Sequence, residues 1–495
     1  MDFFTILSLV ASSLILYTSW VLIKTKTSKN LPPGPPKLPI IGNLHQVKST
    51  TLTPYRVLRN LANKYGPIMH LQLGQVSTVV ISTPRLAKEV LNATVSSIAD
   101  RPVTTTSQIF YYRAQDIGWT LYGPYWIQMR KICVSELLSA KRVQSFGNLQ
   151  ADELKSTCKL LESSLGTTVN FRQIMTQTVN NVICRATLGD IYKDRTDLVE
   201  LLTEVMNGLG DIDVVSYFPS FQFLYNISGK KAKWLKTHKQ LDIILEEILN
   251  EHRKRTSINQ DHEDLLEVLL RIKETGDLDV PITNENVKAV VLDLLIAGMG
   301  TPTSVIEWAM SELMKNPETM KRAQAEVRAV LKGNTITETD IRSMHYLKLV
   351  IKETLRLHSP PLLVPRVTKK HFNIDGYDIP ANTNLLVNVW ACETDPDSWE
   401  NPESFIPERF ENSPINYLGS DFQFIPFGAG KRICAGMTFG LNMVEHVVAT
   451  FLYHFDWKLP NGLKPDEVDM TEVYGASVLP KYPLQIVPVS VSLAN

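Results

Sequence analysis

The chain has 495 residues, 44% of them hydrophobic and 21% charged, an ordinary globular composition that excludes a disordered or collagen-like polymer. Fifty-one Lys and Arg balance 51 Asp and Glu, which leaves no excess positive charge to drive nucleic-acid binding. The five cysteines, Cys133, Cys158, Cys184, Cys392 and Cys434, are odd in number and form no CxxC pair, which fits a reducing compartment rather than a disulfide framework.

From Phe3 to Ile23 the sequence reads FFTILSLVASSLILYTSWVLI, 21 residues without a charge. That is enough to cross a hydrocarbon core about 30 Å thick as one helix. Only Asp2 precedes it, whereas Lys24, Lys26 and Lys29 follow. The positive-inside rule then places the rest of the chain in the cytosol, and the basic start and cleavage site of a signal peptide are missing. No later stretch reads as equally long and apolar, so residues 1–23 are expected to be a single-pass membrane anchor. Prolines crowd Leu31-Pro32-Pro33-Gly34-Pro35-Pro36-Lys37-Leu38-Pro39, which forbids a helix and predicts a basic, stiff hinge over 24–39.

Beyond the hinge, Met69 to Ser82 alternates like a β-hairpin. Leu235 to Arg255, Asn284 to Lys315, Pro317 to Lys332 and Met344 to Leu357 carry apolar residues at helical spacing. Phe372 to Val389 reads as short strands around the turn Asp375-Gly376. No repeat or composition change divides residues 40–495, which are expected to form one domain, mainly α with small β-sheets. The charged stretch His252 to Asp264 is expected to be a solvated loop between helices.

The densest chemical signal is Pro426-Phe427-Gly428-Ala429-Gly430-Lys431-Arg432-Ile433-Cys434-Ala435-Gly436, followed by a helical stretch from Met437. Two glycines before the cysteine let the backbone wrap tightly around the thiol. Gly436 allows close approach of a large flat group, and amides at the following helix start favour a thiolate. A thiolate of this kind can be an axial iron ligand that favours O–O cleavage. Arg432 is placed to pair with an acidic cofactor edge.

This FGxGxRxCxG pattern resembles the haem-binding loop of the cytochrome P-450 monooxygenases. The resemblance implies that Cys434 is the metal ligand, with Phe427 and Gly436 beside the haem. Other family motifs follow in order. Glu353-Thr354-Leu355-Arg356 is similar to the ExxR helix, and Pro407-Glu408-Arg409-Phe410 to the segment whose arginine joins it. The three charged residues are then expected to form a buried structural network, the only setting in which a buried Glu is tolerable. Trp126 and Arg130 match the helix that meets a haem propionate, and Arg366 and Arg432 occupy further propionate positions. The leader LPPGPPKLPIIGNLHQ and the segments YGPIMHLQLG, ADRP, IKETLRLH and NVW resemble plant microsomal members, nearest the subfamily of limonene hydroxylases and premnaspirodiene oxygenase. The resemblance implies a cytochrome P-450 fold behind a single transmembrane helix and haem b as cofactor. It also implies electrons from NADPH through NADPH–cytochrome P-450 reductase, a small lipophilic substrate and no nucleic-acid partner. The protein would act as a monomer on the cytosolic face of the endoplasmic reticulum.

Three places depart from the family pattern. Ala297-Gly298-Met299-Gly300-Thr301-Pro302-Thr303-Ser304, placed in register by Glu307-Trp308, sets Thr301 on the oxygen-activating threonine but Gly300 where an acid is usual. Loss of that carboxylate removes a proton source, and Pro302 deletes the amide that would bond the Gly298 carbonyl. Two readings stay open: ordinary hydroxylation with Thr301, Thr303 and water relaying protons, or a bias toward desaturation or ring closure. Cys392-Glu393-Thr394 replaces a segment that usually carries arginine, with an expected effect on surface pairing only. Ser359 interrupts a usual proline run. The resemblance places Ile109, Phe110, Leu294, Ala297, Leu363, Val364 and Val478 around an apolar pocket with Asp293 and Arg113 as exceptions. A terpenoid substrate is expected, with an alkaloid that is dehydrogenated or cyclised as the alternative.

Overall fold

The structure, a computed structural model, describes residues 12, 30–49, 51–92, 98–190, 195–210, 214–254, 263–276, 278–331 and 336–491. Apart from Ser12, the expected anchor over 1–23 lies outside the described residues, as do 24–29 of the hinge. The rest of the hinge is docked on the body. The His70 amide donates to the Pro33 carbonyl at 2.8 Å, and the Asn43 side-chain amide donates to the Pro35 and Pro36 carbonyls at 3.2 and 3.3 Å.

The expected hairpin forms from β1 (Ile68–Leu73) and β2 (Val76–Ile81), paired antiparallel from Ile68 opposite Ile81 to Leu73 opposite Val76. The later strands are β3 (Leu363–Val367), β4 (Phe372–Ile374), β5 (Tyr377–Ile379) and β6 (Asn384–Asn388). They complete a four-stranded sheet in the order β1-β2-β6-β3, while β4 and β5 pair separately across the Asp375-Gly376 turn. Helix α1 (Pro54–Tyr65) starts on proline, whose fixed φ suits the first helical turn. It lays Leu58 and Ala62 against Met69, Leu71 and Val80 of the sheet.

The helical body contains α2 (Pro124–Ile132), α3 (Phe171–Leu188), α4 (Lys230–Lys254), α5 (Asn284–Lys315), α6 (Pro317–Val330), α7 (His345–Leu357) and α8 (Met437–His454). The longest, α5, is capped by Thr283, whose hydroxyl accepts the Asn286 amide. By length and composition it is apolar enough to cross a membrane. Its apolar residues lie buried between α3 and α8, and a helix apolar all round belongs in a core. Buried Glu307 ties it down, accepting from Arg172 of α3 at 2.6 Å and from the Leu484 amide at 3.0 Å. Pro302 sits inside α5 without ending it.

The expected charged network is present, with Glu353 and Arg356 fully buried and Arg409 half-buried at its edge. The carboxylate of Glu353 accepts from Arg356 at 2.7 and 2.8 Å and from Arg409 at 2.9 Å. The solvated-loop expectation for His252 to Asp264 is corrected at its ends. His252 and Asp264 are buried and paired at 3.0 Å, and buried Glu263 is gripped by Arg142 and Arg271. Residues 255–262 lie outside the described residues.

Replacing Glu353 by Gln strips the negative charge from the buried Arg356 guanidinium and the half-buried one of Arg409. It should destabilise the fold by on the order of 3–5 kcal/mol, read as a fall in the thermal midpoint against wild type.

Candidate functional site

The cysteine loop is shaped by its glycines. Gly428 and Gly430 have φ of +71° and +67°, a region that L side chains avoid. A Cβ on Gly430 would stand 2.0 Å from the Leu91 carbonyl oxygen, so the loop closes only with glycine there. The turn brings the Cys434 amide to the Phe427 carbonyl at 2.9 Å. Gly436 then caps α8 without a side-chain cap of its own. A Cβ on it would meet no protein atom within 4 Å, which leaves that flank of the loop open to a flat group.

Cys434 is the one exposed cysteine among the described residues, although protein surrounds it deeply enough for burial to dominate its ionisation. Burial pushes its pKa up, and the Gly436 amide, Arg130 and Arg101 pull it back only in part. The amide and the helix start thus act on the sulfur as the sequence implied, but burial outweighs them; a metal cation is the partner that would complete thiolate formation.

The arginines divide into two groups. Arg432 is buried and spends four donors on the Ala99, Ile117, Gly118 and Thr120 carbonyls. Arg130 of α2 donates to the Ile433 carbonyl. The Trp126 indole N–H donates to the Ile117 carbonyl at 2.9 Å, with its ring 4.6 Å beneath the Arg432 guanidinium. Arg432 and Trp126 thus brace the loop at 117–120 and Arg130 holds the cysteine loop, while all three stand where the resemblance expects the cofactor's acidic edge.

Arg366 differs. It makes one hydrogen bond, to its neighbour Pro365, and lines a small crevice with Arg432, Leu91, Ile98, Ala99 and Ala429. Burial, then Arg101 and Arg432, pulls its pKa well below the ordinary arginine value. Arg101, which the motif reading left without a role, presses its field on Arg366, Arg432 and Cys434. Its buried Nε has no partner among the described residues. Crowded guanidinium groups with spare donors fit the two carboxylates of a haem, and Cys434 fits its iron. The Asp100-Arg101-Pro102 triplet was the available signal.

On α5 the Thr301 hydroxyl donates to the Ala297 carbonyl at 2.8 Å, and Ala297 and Thr301 share one face with accessible surface. A Cβ on Gly300 would lie 2.4 Å from Met206 Cε and 3.8 Å from Ser477 Oγ, so a thioether methyl takes the place beside this helix that a side chain would need. Asp293 is no free pocket acid. It accepts the Ile117 and Gly118 amides at 3.3 and 3.0 Å, beside Asp116, which shares the Gly118 amide. Burial raises Asp293 from 3.8 to about 6. Three pocket expectations also move into the core: Val478 packs with Tyr55, Leu362 and Trp390, Val364 is buried in the cluster of Ile68, Val79 and Val387, and Phe110 is fully buried in the helical body.

The Cytochrome P450 family profile matches residues 32–488. The chain belongs to the cytochrome P450 family. It is 64% identical to a costunolide synthase of Cichorium intybus over 99% of this chain and 98% of that one. It is 59% identical to a germacrene A acid 8-beta-hydroxylase of Inula hupehensis over 99% of both, and 44% identical to a premnaspirodiene oxygenase of Hyoscyamus muticus over 98% of both. A zebra fish cytochrome P450 with progesterone superposes with a TM-score of 0.78 at 25% identity, covering 89% of this chain and all of that one. As a cytochrome P450 the protein is a haem-dependent monooxygenase that draws electrons from NADPH through a reductase. None of these relatives is named for alkaloid oxidation, and that alternative has no support from them.

Arg366→Met removes spare donors from the guanidinium cluster. It should lower haem retained per protein on gel filtration by about tenfold in affinity, as should Arg101→Met. The paired acids give a second test. Because the folded pKa of Asp293 lies above its ordinary value, its contribution is fullest below about 4 and is lost as pH rises through about 6. Asp293→Asn should flatten that decline in thermal midpoint across the same interval.

Proposed function

We propose that the protein hydroxylates a terpenoid of the germacrene A acid kind, as a monomer anchored to the endoplasmic reticulum with its body in the cytosol. The observation that carries this is the likeness, at 59–64% identity over 99% of the chain, to enzymes named for costunolide synthesis and germacrene A acid hydroxylation. The membrane reading draws support from the surface. Leu38, Ile40 and Ile41 after the hinge are exposed, as are Phe221, Phe223, Leu224 and Ile227. The two segments are stitched together where the Gly74 amide bonds the Ile41 carbonyl and the Gln75 amide bonds the Tyr217 carbonyl. A joined apolar patch of this kind suits a lipid interface.

When bound, haem supplies the iron at which oxygen is activated, with Cys434 as its thiolate and Arg101 and Arg366 as the groups available to its carboxylates. The chain's own task at the oxygen side is to deliver protons. Thr301 holds its proton toward the Ala297 carbonyl, leaving its oxygen lone pairs for water. Gly300 offers no carboxyl, and Asp293 is committed to loop amides. Delivery therefore runs through the threonine hydroxyl and water.

Microsomes holding the chain, its reductase and NADPH, given germacrene A acid within a terpene panel, should yield a product one oxygen heavier by mass spectrometry. A product lacking two hydrogens and gaining no oxygen would instead establish desaturation. Thr301→Val should cut product per NADPH consumed by about a hundredfold. Gly300→Ala pushes Met206 aside, and the ratio of regioisomers should shift while the variant keeps its haem spectrum; an unchanged ratio would show that Met206 does not border the substrate.

A further inference from the structure

Two of the departures from the family pattern converge on one stretch of backbone. Glu393, expected to matter only at the surface, is fully buried at the end of the short helix Val389–Glu393. One carboxyl oxygen accepts the Ile425 amide at 2.9 Å. Ser359, also fully buried just beyond α7, donates its hydroxyl to the Pro426 carbonyl at 3.3 Å. Ile425 and Pro426 lead directly into Phe427, whose carbonyl receives the Cys434 amide, and the Ile425 carbonyl itself holds the Gly428 amide at 2.8 Å. Both departures therefore grip the strand of the loop that faces the cysteine.

The other carboxyl oxygen of Glu393 is buried with no hydrogen-bond partner among the described residues. The charge nearest to it is Arg356, whose five donors are already spent on Glu353, the Glu393 backbone, Pro402 and Ser404. With no donor left to stabilise a carboxylate, burial holds the proton on Glu393 well above the ordinary range. Its role toward Ile425 is then that of a neutral hydrogen-bond acceptor, which an amide can copy.

We propose that Glu393 and Ser359 are positioning residues for the thiolate ligand: from outside the cysteine loop they clamp the Ile425 amide and the Pro426 carbonyl, and so fix the Phe427 carbonyl that holds Cys434 in register. The proposal rests on Cys434 as the haem thiolate. It assigns no contact with substrate or haem to either residue.

The test uses the haem-loaded full chain with Glu393→Ala, Glu393→Gln and Ser359→Ala. Two quantities are measured: amide hydrogen exchange in segment 421–427, and the rate at which the thiolate-type Soret band of the reduced CO complex is lost. A buried amide left without its acceptor should speed both by about tenfold in Glu393→Ala. Glu393→Gln should stay within about twofold of wild type, Ser359→Ala should show about a threefold effect, and exchange in α1 should not change. The clamp is overturned if Glu393→Ala matches wild type, if exchange quickens equally in α1, or if Glu393→Gln behaves like Glu393→Ala. Where Glu393→Ala does not fold, the Gln variant and Ser359→Ala decide alone: wild-type rates in Ser359→Ala, or a tenfold rise in Glu393→Gln, reject it. A wild type without the thiolate band would reject Cys434 as ligand, while the exchange measurements would still judge the clamp.

Discussion

Arg356 is buried to 0% exposure, and each of its five N–H donors has an acceptor. A guanidinium cannot shed its proton, so its charge has to be matched where it lies. That demand organises much of the structure beneath the cysteine. It recruits Glu353 from its own helix, through Glu353 it recruits Arg409, and it fastens the backbone at Glu393, Pro402 and Ser404 to one point. Segments 393–409, which have little regular structure, are thereby held against α7 by charge-assisted bonds rather than by a ladder.

The site above this network carries the opposite imbalance. Arg101, Arg366, Arg432 and Arg130 crowd toward Cys434, and the nearby acids, Asp100, Asp116 and Asp293, are spent on Lys369, loop amides and one another. The protein thus sets a cationic surplus, with Arg130 and Arg101 acting on the sulfur itself, beside the thiol. An anionic-edged, flat, metal-bearing group would meet that surplus and the thiol at once. The same surplus explains why Arg432 and Trp126 serve as braces: they fix the loop whose carbonyls form the rim of the cationic region.

Much of this was legible in the sequence, and the misses share a cause. The hairpin, α5, α7 and α8 follow from alternation or helical spacing over local windows, and the motif residues of the cysteine loop and the Glu353 network came together as expected. Helix α4 begins at Lys230, ahead of its first large apolar residue, Trp234, because a lysine-rich first turn carries no periodic signal. Glu393, Ser359, His252 and Asp264 were taken as surface or neutral features, yet Glu393 and Ser359 are buried against the distant Ile425 and Pro426, and His252 and Asp264 against each other across a loop. Phe110, Val364 and Val478 failed in the reverse direction, since an apolar side chain looks the same on a pocket wall as in a core. Arg101 was visible only as part of a triplet; its importance lies in which other arginines surround it.

The docking of the hinge has a consequence for where the enzyme works. Asn30 is already fixed to the body through its carbonyl, which accepts the Asp378 amide at 2.9 Å, and through its side chain on the Gly376 carbonyl. Between the proposed span, ending at Ile23, and Asn30 stand residues 24–29, a tether that can reach at most about 20 Å when fully extended. With the proposed span in a bilayer, the body would be leashed to the headgroup layer and would sample solutes at their concentration in lipid rather than in the cytosol. For a lipophilic terpenoid, partitioning into the bilayer then becomes part of the apparent affinity.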